Sequence, residues 1–298
     1  NSLAFSMAAL TELEWTPDWR FVNVVYNGQP RGCYLLCEQV RVGDHRVSID
    51  EEEGYLLEVD SYFDEPCRFR TARRGLPVNV KTPDDPSPEQ MAYIEGYLNE
   101  IESFLYSDST DFRTLFCGYL DMDTFVDWWL VHELAQNAEP NGPRSCYMYK
   151  DKGGLLKAGP VWDFDLAFIT VGLDAGGDIR PARLNRPDVV TLTGDSLYNR
   201  QALWYDRLFD DSVFCCRVRE RWTELSPRFR ALADSLDRWQ SLIRPSALAD
   251  ERLWGGKDPA RFDNFATFEE SAANLKRVYL YRIDALDRLL KGERRNSQ

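Results

Sequence analysis

The sequence predicts an α+β fold, with a helix and a hairpin at the front and a mainly helical body that holds one further small hairpin. Three observations predict it. Apolar extended runs flank an Asn-Gly turn near the start. Apolar residues recur at three- and four-residue steps through most of the remainder. Between the two, a segment apolar nearly all round leads into a Pro- and Gly-containing loop and a short extended pair.

The elements follow in order. Asn1 to Leu13 is helix-like, and its opening reads as an apolar helix entered partway, which gives the expectation of a processed protein or a fragment. Phe21 to Tyr26 and Gly32 to Val40 read as strands joined by Asn27-Gly28, residues that tolerate positive φ, so a hairpin is expected. Gly54 to Val59 is a third strand, and Phe69 to Lys81 an extended segment ending at Thr82-Pro83. Ser87, Pro88 and Gln90 form a helix start with a capping box. Met91, Ile94, Leu98, Ile101 and Leu105 then mark one buried face.

Thr124 to Gln136 carries Phe125, Val126, Trp128, Trp129, Leu130 and Val131 and is expected to be a central buried helix. Asn137 to Arg144 must be a loop, and 145–157 a short hairpin around Asp151 to Gly154. Gly172 to Gly194, rich in Gly, Pro, Asp and Asn, reads as a long loop. Phe214, Val218 and Trp222 mark a further helix, which Pro227 is expected to end or kink. Thr267 and Glu270 cap the last helix, whose buried stripe runs from Leu275 to Leu290.

Composition narrows the function classes. Hydrophobic residues make up 44% of the 298 and aromatics 13%, enough for a packed core. A net charge of −13 argues against nonspecific binding to nucleic acid or an anionic membrane. An acidic protein still binds nucleotides where a metal cation stands between carboxylates and phosphates. No apolar run reaches the ~20 residues of a membrane span, and no signal peptide opens the chain. The seven cysteines show no zinc spacing. Cys33 and Cys37 share a strand face, Cys215 and Cys216 lie on a helix, and all are expected as buried free thiols.

The chemistry lies in an order of elements. A buried helix runs into a polar loop, a hairpin follows, and then comes a turn carrying Asp163 and Asp165. Protein kinases use this order, with an acceptor-orienting carboxylate on the loop and a metal-gripping aspartate after the hairpin. Phosphoryl transfer is mostly positioning and charge neutralisation, so it needs both groups on rigid elements facing one cleft. Asp163 sits between Trp162 and Phe164, and a carboxylate in such apolar company is costly unless a metal or donor pairs it. Solvated turn acids are the alternative. His132 reads as a packed helix residue and His45 as a turn residue, with no nucleophile–histidine pair at hydrolase spacing.

Several segments together resemble the CotH (spore coat protein H) kinase family, of the kind common in gut Bacteroidetes. They are Phe21-Val-Asn-Val-Val-Tyr-Asn-Gly with Gly32-Cys-Tyr-Leu-Leu-Cys-Glu-Gln, Gly54-Tyr-Leu-Leu-Glu-Val-Asp, Val80-Lys-Thr-Pro-Asp, Glu133 through Asp151, and Gly159-Pro-Val-Trp-Asp-Phe-Asp-Leu-Ala-Phe. Leu208 to Phe214, Arg221-Trp and Tyr281-Arg-Ile match its later helices, so the resemblance spans nearly the whole chain. It implies an atypical protein-kinase-like fold with a truncated N-terminal β-lobe and a mainly helical C-terminal lobe. The whole chain would form one domain, with 1–60 the N-lobe remnant and 61–298 the C-lobe. It also implies ATP, Mg2+ or Mn2+, a secreted or surface protein as substrate, and an extracytoplasmic location. Asp163 matches the metal-binding aspartate, and Asp165 is a candidate second ligand. Glu38 would lead into the adenine-side hinge, and Lys81 is a candidate phosphate contact; surface acid and solvated lysine are their alternatives.

The sequence departs from the family pattern in places. Where Asn-x-Asp is usual, the loop reads Asn137-Ala-Glu139-Pro-Asn-Gly-Pro-Arg-Ser145, one residue longer and with Glu139 at the catalytic position. Asn141 or Ser145 is then the candidate second metal ligand or nucleotide-side contact. The family's phosphate-binding strands would precede Asn1, and the glycine that often follows the acidic turn is absent. A kinase-shaped scaffold without activity therefore stands as the alternative to an active kinase. A carbohydrate-active protein is a third reading, on nine tryptophans and many acids.

Overall fold

The computed structural model describes residues 1–108, 111–165, 167–173, 179–183, 197–254 and 267–291, with 169–173 and 179–183 described as backbone only. The fold is α+β. A short helix α1 (Ser2–Ala8) buries Leu3, Phe5 and Met7. Strands β1 (Trp19–Tyr26) and β2 (Gln29–Cys37) form the expected hairpin. Asn27 and Gly28 close it at φ 50 and 74, the pair of positive φ values that matches strand twist in a two-residue turn. The hairpin stands on a long helix rather than in a larger sheet, with Trp19 set edge-on to Trp239 at 5.0 Å.

A five-stranded antiparallel sheet, order β4-β5-β3-β6-β7, makes the centre. It comprises β3 (Tyr55–Val59), β4 (Arg68–Arg70), β5 (Pro77–Thr82), β6 (Cys146–Lys150) and β7 (Leu156–Ala158). Two expectations change here. The extended segment 69–81 is two strands, because Gly75 at φ 65 lets the chain reverse after Thr71. The second hairpin is not a satellite: β3 pairs with both β5 and β6, so the sheet spans the line at residue 60. Tyr55, Leu57 and Val59 face the main core, and Leu56 joins Tyr147, Tyr149 and Val47 in a smaller one on the opposite face.

Helix α2 (Pro88–Leu105) has the capping box, with Ser87 and Gln90 satisfying each other's backbone N–H groups, and buries Ile94, Leu98, Ile101 and Leu105. A helix α3 (Phe112–Gly118) follows, capped by Asp111. Helix α4 (Met122–Ala135) begins two residues before the predicted start, because the Asp121 side chain accepts the Thr124 N–H. Residues 124–135 of it are all buried. After the acidic turn, β8 (Ile169–Leu173) and β9 (Ile179–Arg183) form a hairpin that reaches into the predicted long loop, of which 174–178 and 184–194 lie outside the described residues.

A one-turn helix α5 (Tyr205–Leu208) leads to α6 (Ser212–Trp254), which runs unbroken through Pro227 and Pro245. Of the expected end or kink at Pro227, the end does not occur. Proline costs a helix interior roughly 3 kcal/mol, but Trp222, Leu225, Ser226 and Phe229 bury this stretch, against α4 on one side and α7 (Phe268–Lys291) on the other. The Thr267–Glu270 capping box starts α7 as predicted.

The cysteines are free thiols, but only Cys146 is buried, and Cys117 and Cys216 are exposed. Trp128, Trp129, Trp204 and Trp222 are fully buried and so cannot stack on a sugar. No helix among the described residues is long and apolar enough to cross a membrane.

Candidate active site

Two turns meet at the C-terminal end of α4. Gln136 ends the helix in the left-handed region at φ 47, and its N–H bonds back to Glu133 and His132. A 3₁₀ turn, Glu139–Asn141, follows. The acidic turn is pinned from both sides. The Phe164 N–H donates to the Asn1 side chain at 2.9 Å, Phe168 N–H to the Ala135 carbonyl at 2.7 Å, and Trp162 stacks on Phe5 at 6.0 Å. Ser145, Asp163 and Phe168 also have positive φ, at 51, 55 and 57. Such clustering of strained non-glycine residues is typical of functional sites.

Glu139, Asp163 and Asp165 each bring a carboxylate oxygen within 4.8 Å of the others. Glu139 is buried, Asp163 half-buried and Asp165 exposed. Burial is the main reason the Glu139 pKa is pushed up to about 7, and the charges of Asp163, Asp165 and Asp60 add to it while Arg144 opposes. The Arg144 guanidinium lies 2.9 Å from the carboxylate. Asp163 is raised by burial first and then by Asp165. Three converging oxygens with mutual repulsion fit a hard divalent cation, which takes oxygen ligands and removes the repulsion.

This repulsion has a measurable sign. A carboxyl held above its unfolded value of 4.5 binds more protons in the native state, so it lowers stability as pH rises from about 4.5 to about 7. Glu139→Gln is therefore expected to raise the melting temperature in EDTA at pH 8, with the gain shrinking toward pH 4.5. Thermal melts across that range check it; a loss at pH 8 equal to that at pH 4.5 would contradict the assignment.

The other predicted residues divide. Ser145 is at the site: its Oγ donates to Asp163 Oδ2 at 3.4 Å, and its N–H to Asp60 at 2.9 Å. Asn141 follows Glu139 on the 3₁₀ turn, with its amide N–H donated to Asn199 at 2.9 Å, so the amide oxygen is the atom it would offer a metal. Glu38 follows β2 and accepts the Asp18 N–H at 3.0 Å, with Arg46 at 3.8 Å. Lys81 is not solvated freely: it is paired with Glu65 and lies 3.6 Å from Glu58. His132 is buried in the core, and burial holds its pKa down to about 3, so its imidazole is neutral.

Sequence reasoning missed Asp60 and Arg144. Asp60 accepts the N–H groups of Ser145 and Tyr62 and so fastens the end of the loop to β3. Its signal was its place at the end of the Gly54–Asp60 segment. Arg144 lies inside the loop, but nothing local says that its side chain turns back on Glu139.

No curated protein matches the chain. A family model described as CotH kinase protein matches residues 1–286, which include both turns of the acidic site, and the chain accordingly belongs to the CotH kinase family.

Proposed function

We propose that the protein transfers the γ-phosphoryl group of ATP to a hydroxyl of a secreted or surface protein, outside the cytoplasm. The observation that carries this is the meeting of Glu139 with Asp163 and Asp165 within 4.8 Å, from turns on either side of a hairpin. The reading takes the α1 and hairpin region as the remnant of a kinase N-lobe and the helical body as its C-lobe.

Asp163 and Asp165 would hold Mg2+ or Mn2+, with Asn141 or Ser145 completing the set, and the metal would neutralise charge on the phosphates. Glu139 orients the acceptor hydroxyl and takes its proton. Burial holds the Glu139 carboxyl up at about 7 in the metal-free site, and a bound cation would lower it, leaving a carboxylate free to accept the proton near neutral pH. Arg144 keeps Glu139 aimed and offsets part of its burial. Ser145 steadies Asp163 from the opposite side. Glu38 and Lys81 stay candidates for the nucleotide side, Glu38 held by the Asp18 N–H and Lys81 by its pairing with Glu65.

One observation favours a second reading, a partner-binding scaffold: the Arg144–Glu139 ion pair occupies the carboxylate that the reaction requires. Incubation of the full chain with γ-labelled ATP and Mg2+ or Mn2+ tests both, with label read in the chain itself and in added Ser/Thr/Tyr peptides. Transfer that Glu139→Gln reduces about 100-fold or more supports the kinase, in the range for loss of a general base. ATP-dependent stabilisation without transfer supports the scaffold.

A further inference from the structure

We propose that Asn137 is a positioning residue: its side-chain amide locks the backbone of Glu139 to the backbone of Asp163, and His132 is the fixed acceptor that orients the amide. The proposal rests on the kinase reading for its kinetic consequence, but not for its geometry.

Asn137 is fully buried. Its Nδ2 donates to the Asp163 carbonyl at 3.0 Å and lies 3.3 Å from His132 Nδ1, and its Oδ1 accepts the Glu139 N–H at 3.4 Å. These partners leave one orientation for the amide. Only the NH2 end can serve a carbonyl, and only the oxygen can accept an N–H. His132 Nδ1 must then accept, which puts the imidazole proton on Nε2.

Histidine at this place is otherwise a poor choice. Its ring is stacked between Trp128 at 3.8 Å and Phe164 at 4.6 Å. Its Nε2 is buried and has no hydrogen-bond partner among the described residues. An apolar ring would fill the stack without leaving a donor unpaired, so what histidine adds is the Nδ1 acceptor. The Asn137 backbone N–H also donates to the His132 carbonyl at 3.0 Å, which fixes the two relative to each other.

Asp163 sits at φ 55, in the left-handed region that Asp enters more readily than most residues, and the bond from Asn137 to its carbonyl helps to hold it there. Arg144 and Ser145 hold the carboxylates of the site. Asn137 joins the main chains of Glu139 and Asp163 directly, and so sets the separation of base and metal ligand. Reaction rates fall roughly 100-fold for a misplacement near 1 Å.

The test uses the full chain labelled with 15N-histidine. Only two histidines contribute, and His45→Gln assigns the His132 signals. The wild type is expected to show the proton on Nε2; a proton on Nδ1 overturns the proposal. Asn137→Asp and Asn137→Leu are expected to lower the rate at saturating ATP by about 100-fold, with the half-saturating ATP concentration within about threefold. An unchanged rate in a folded variant overturns the lock. If both variants fail to fold, His132→Phe decides: about a tenfold rate loss without a lower melting temperature supports the acceptor role, and no loss overturns it. If the wild type transfers no phosphate, the kinase reading fails separately and Mn2+ titration judges the lock. Mn2+ binding weakened about fivefold or more in Asn137→Leu supports it, and unchanged binding overturns it.

Discussion

Asp163→Asn is expected to abolish stabilisation by Mg2+ or Mn2+ without lowering the melting temperature in EDTA. A ligand at 100 times its dissociation constant stabilises by about 2.7 kcal/mol, so a shift on the order of 5–10 °C is expected for the wild type and almost none for the variant. In EDTA the sign is opposite to that of an ordinary core substitution. The Asp163 carboxyl is held above its usual range by burial and by Asp165, so a neutral amide removes a native-state repulsion. Asparagine is a better probe than alanine, because residue 163 sits at φ 55, where Asp and Asn are tolerated and alanine adds strain. Differential scanning fluorimetry with a metal titration checks both halves. A variant that retains the metal shift would remove Asp163 from the ligand set.

Arg282→Met is expected to cost about 3–5 kcal/mol, as removal of one partner from a buried ion pair does. Arg282 on α7 and Glu133 on α4 are ion-paired with no exposed surface on either side chain. Glu133 also accepts the N–H groups of Tyr198 and Asn199 at 2.6 and 2.7 Å. Without the guanidinium, Glu133 is left to burial, which already pushes its pKa up and outweighs its partners. The variant then binds an extra proton in the native state above the unfolded carboxyl value. Its deficit relative to wild type should widen as pH rises above the wild-type Glu133 value, which burial already holds above the usual carboxylate range. Urea unfolding at pH 5 and pH 7.5 measures this, and Glu133→Gln in the same chain should restore most of the loss. A deficit independent of pH would mean that packing rather than charge is lost. The pair matters for the site as well, because Asn199 in turn receives the Asn141 amide.

Much of the chain was legible locally. The capping boxes at Ser87 and Thr267, the Asn27-Gly28 turn and the Ile94–Leu105 stripe depend on residues three or four apart, so spacing alone identifies them. The meeting of the Glu139 and Asp163 turns was legible only through the order helix, loop, hairpin, turn, which constrains where the chain can return. Elements decided by distant partners were misread. Pro227 does not stop α6, because burial along the helix outweighs a lost hydrogen bond. Lys81 reads as a solvated or phosphate-seeking cation until β3 brings Glu58 beside it. Of the cysteines only Cys146 behaves as a core thiol, because the hairpin that carries Cys33 and Cys37 rests on one helix and stays half exposed.

By itself, then, the sequence determined the α+β class, the order helix, loop, hairpin and acidic turn, the buried α4 and the identity of the acids at the site. The tertiary structure alone decided how those acids behave. The Glu139 shift toward 7 comes from burial and from charges on two other segments, the Asp163–Asp165 turn and Asp60. The left-handed backbone at Gln136, Ser145 and Asp163 has no glycine to announce it. Asn137 becomes a bridge only when a turn 26 residues away is brought within 3.0 Å of its amide. Local propensity acts over a few residues, whereas desolvation, strain and ion pairing depend on what the rest of the chain places around a group.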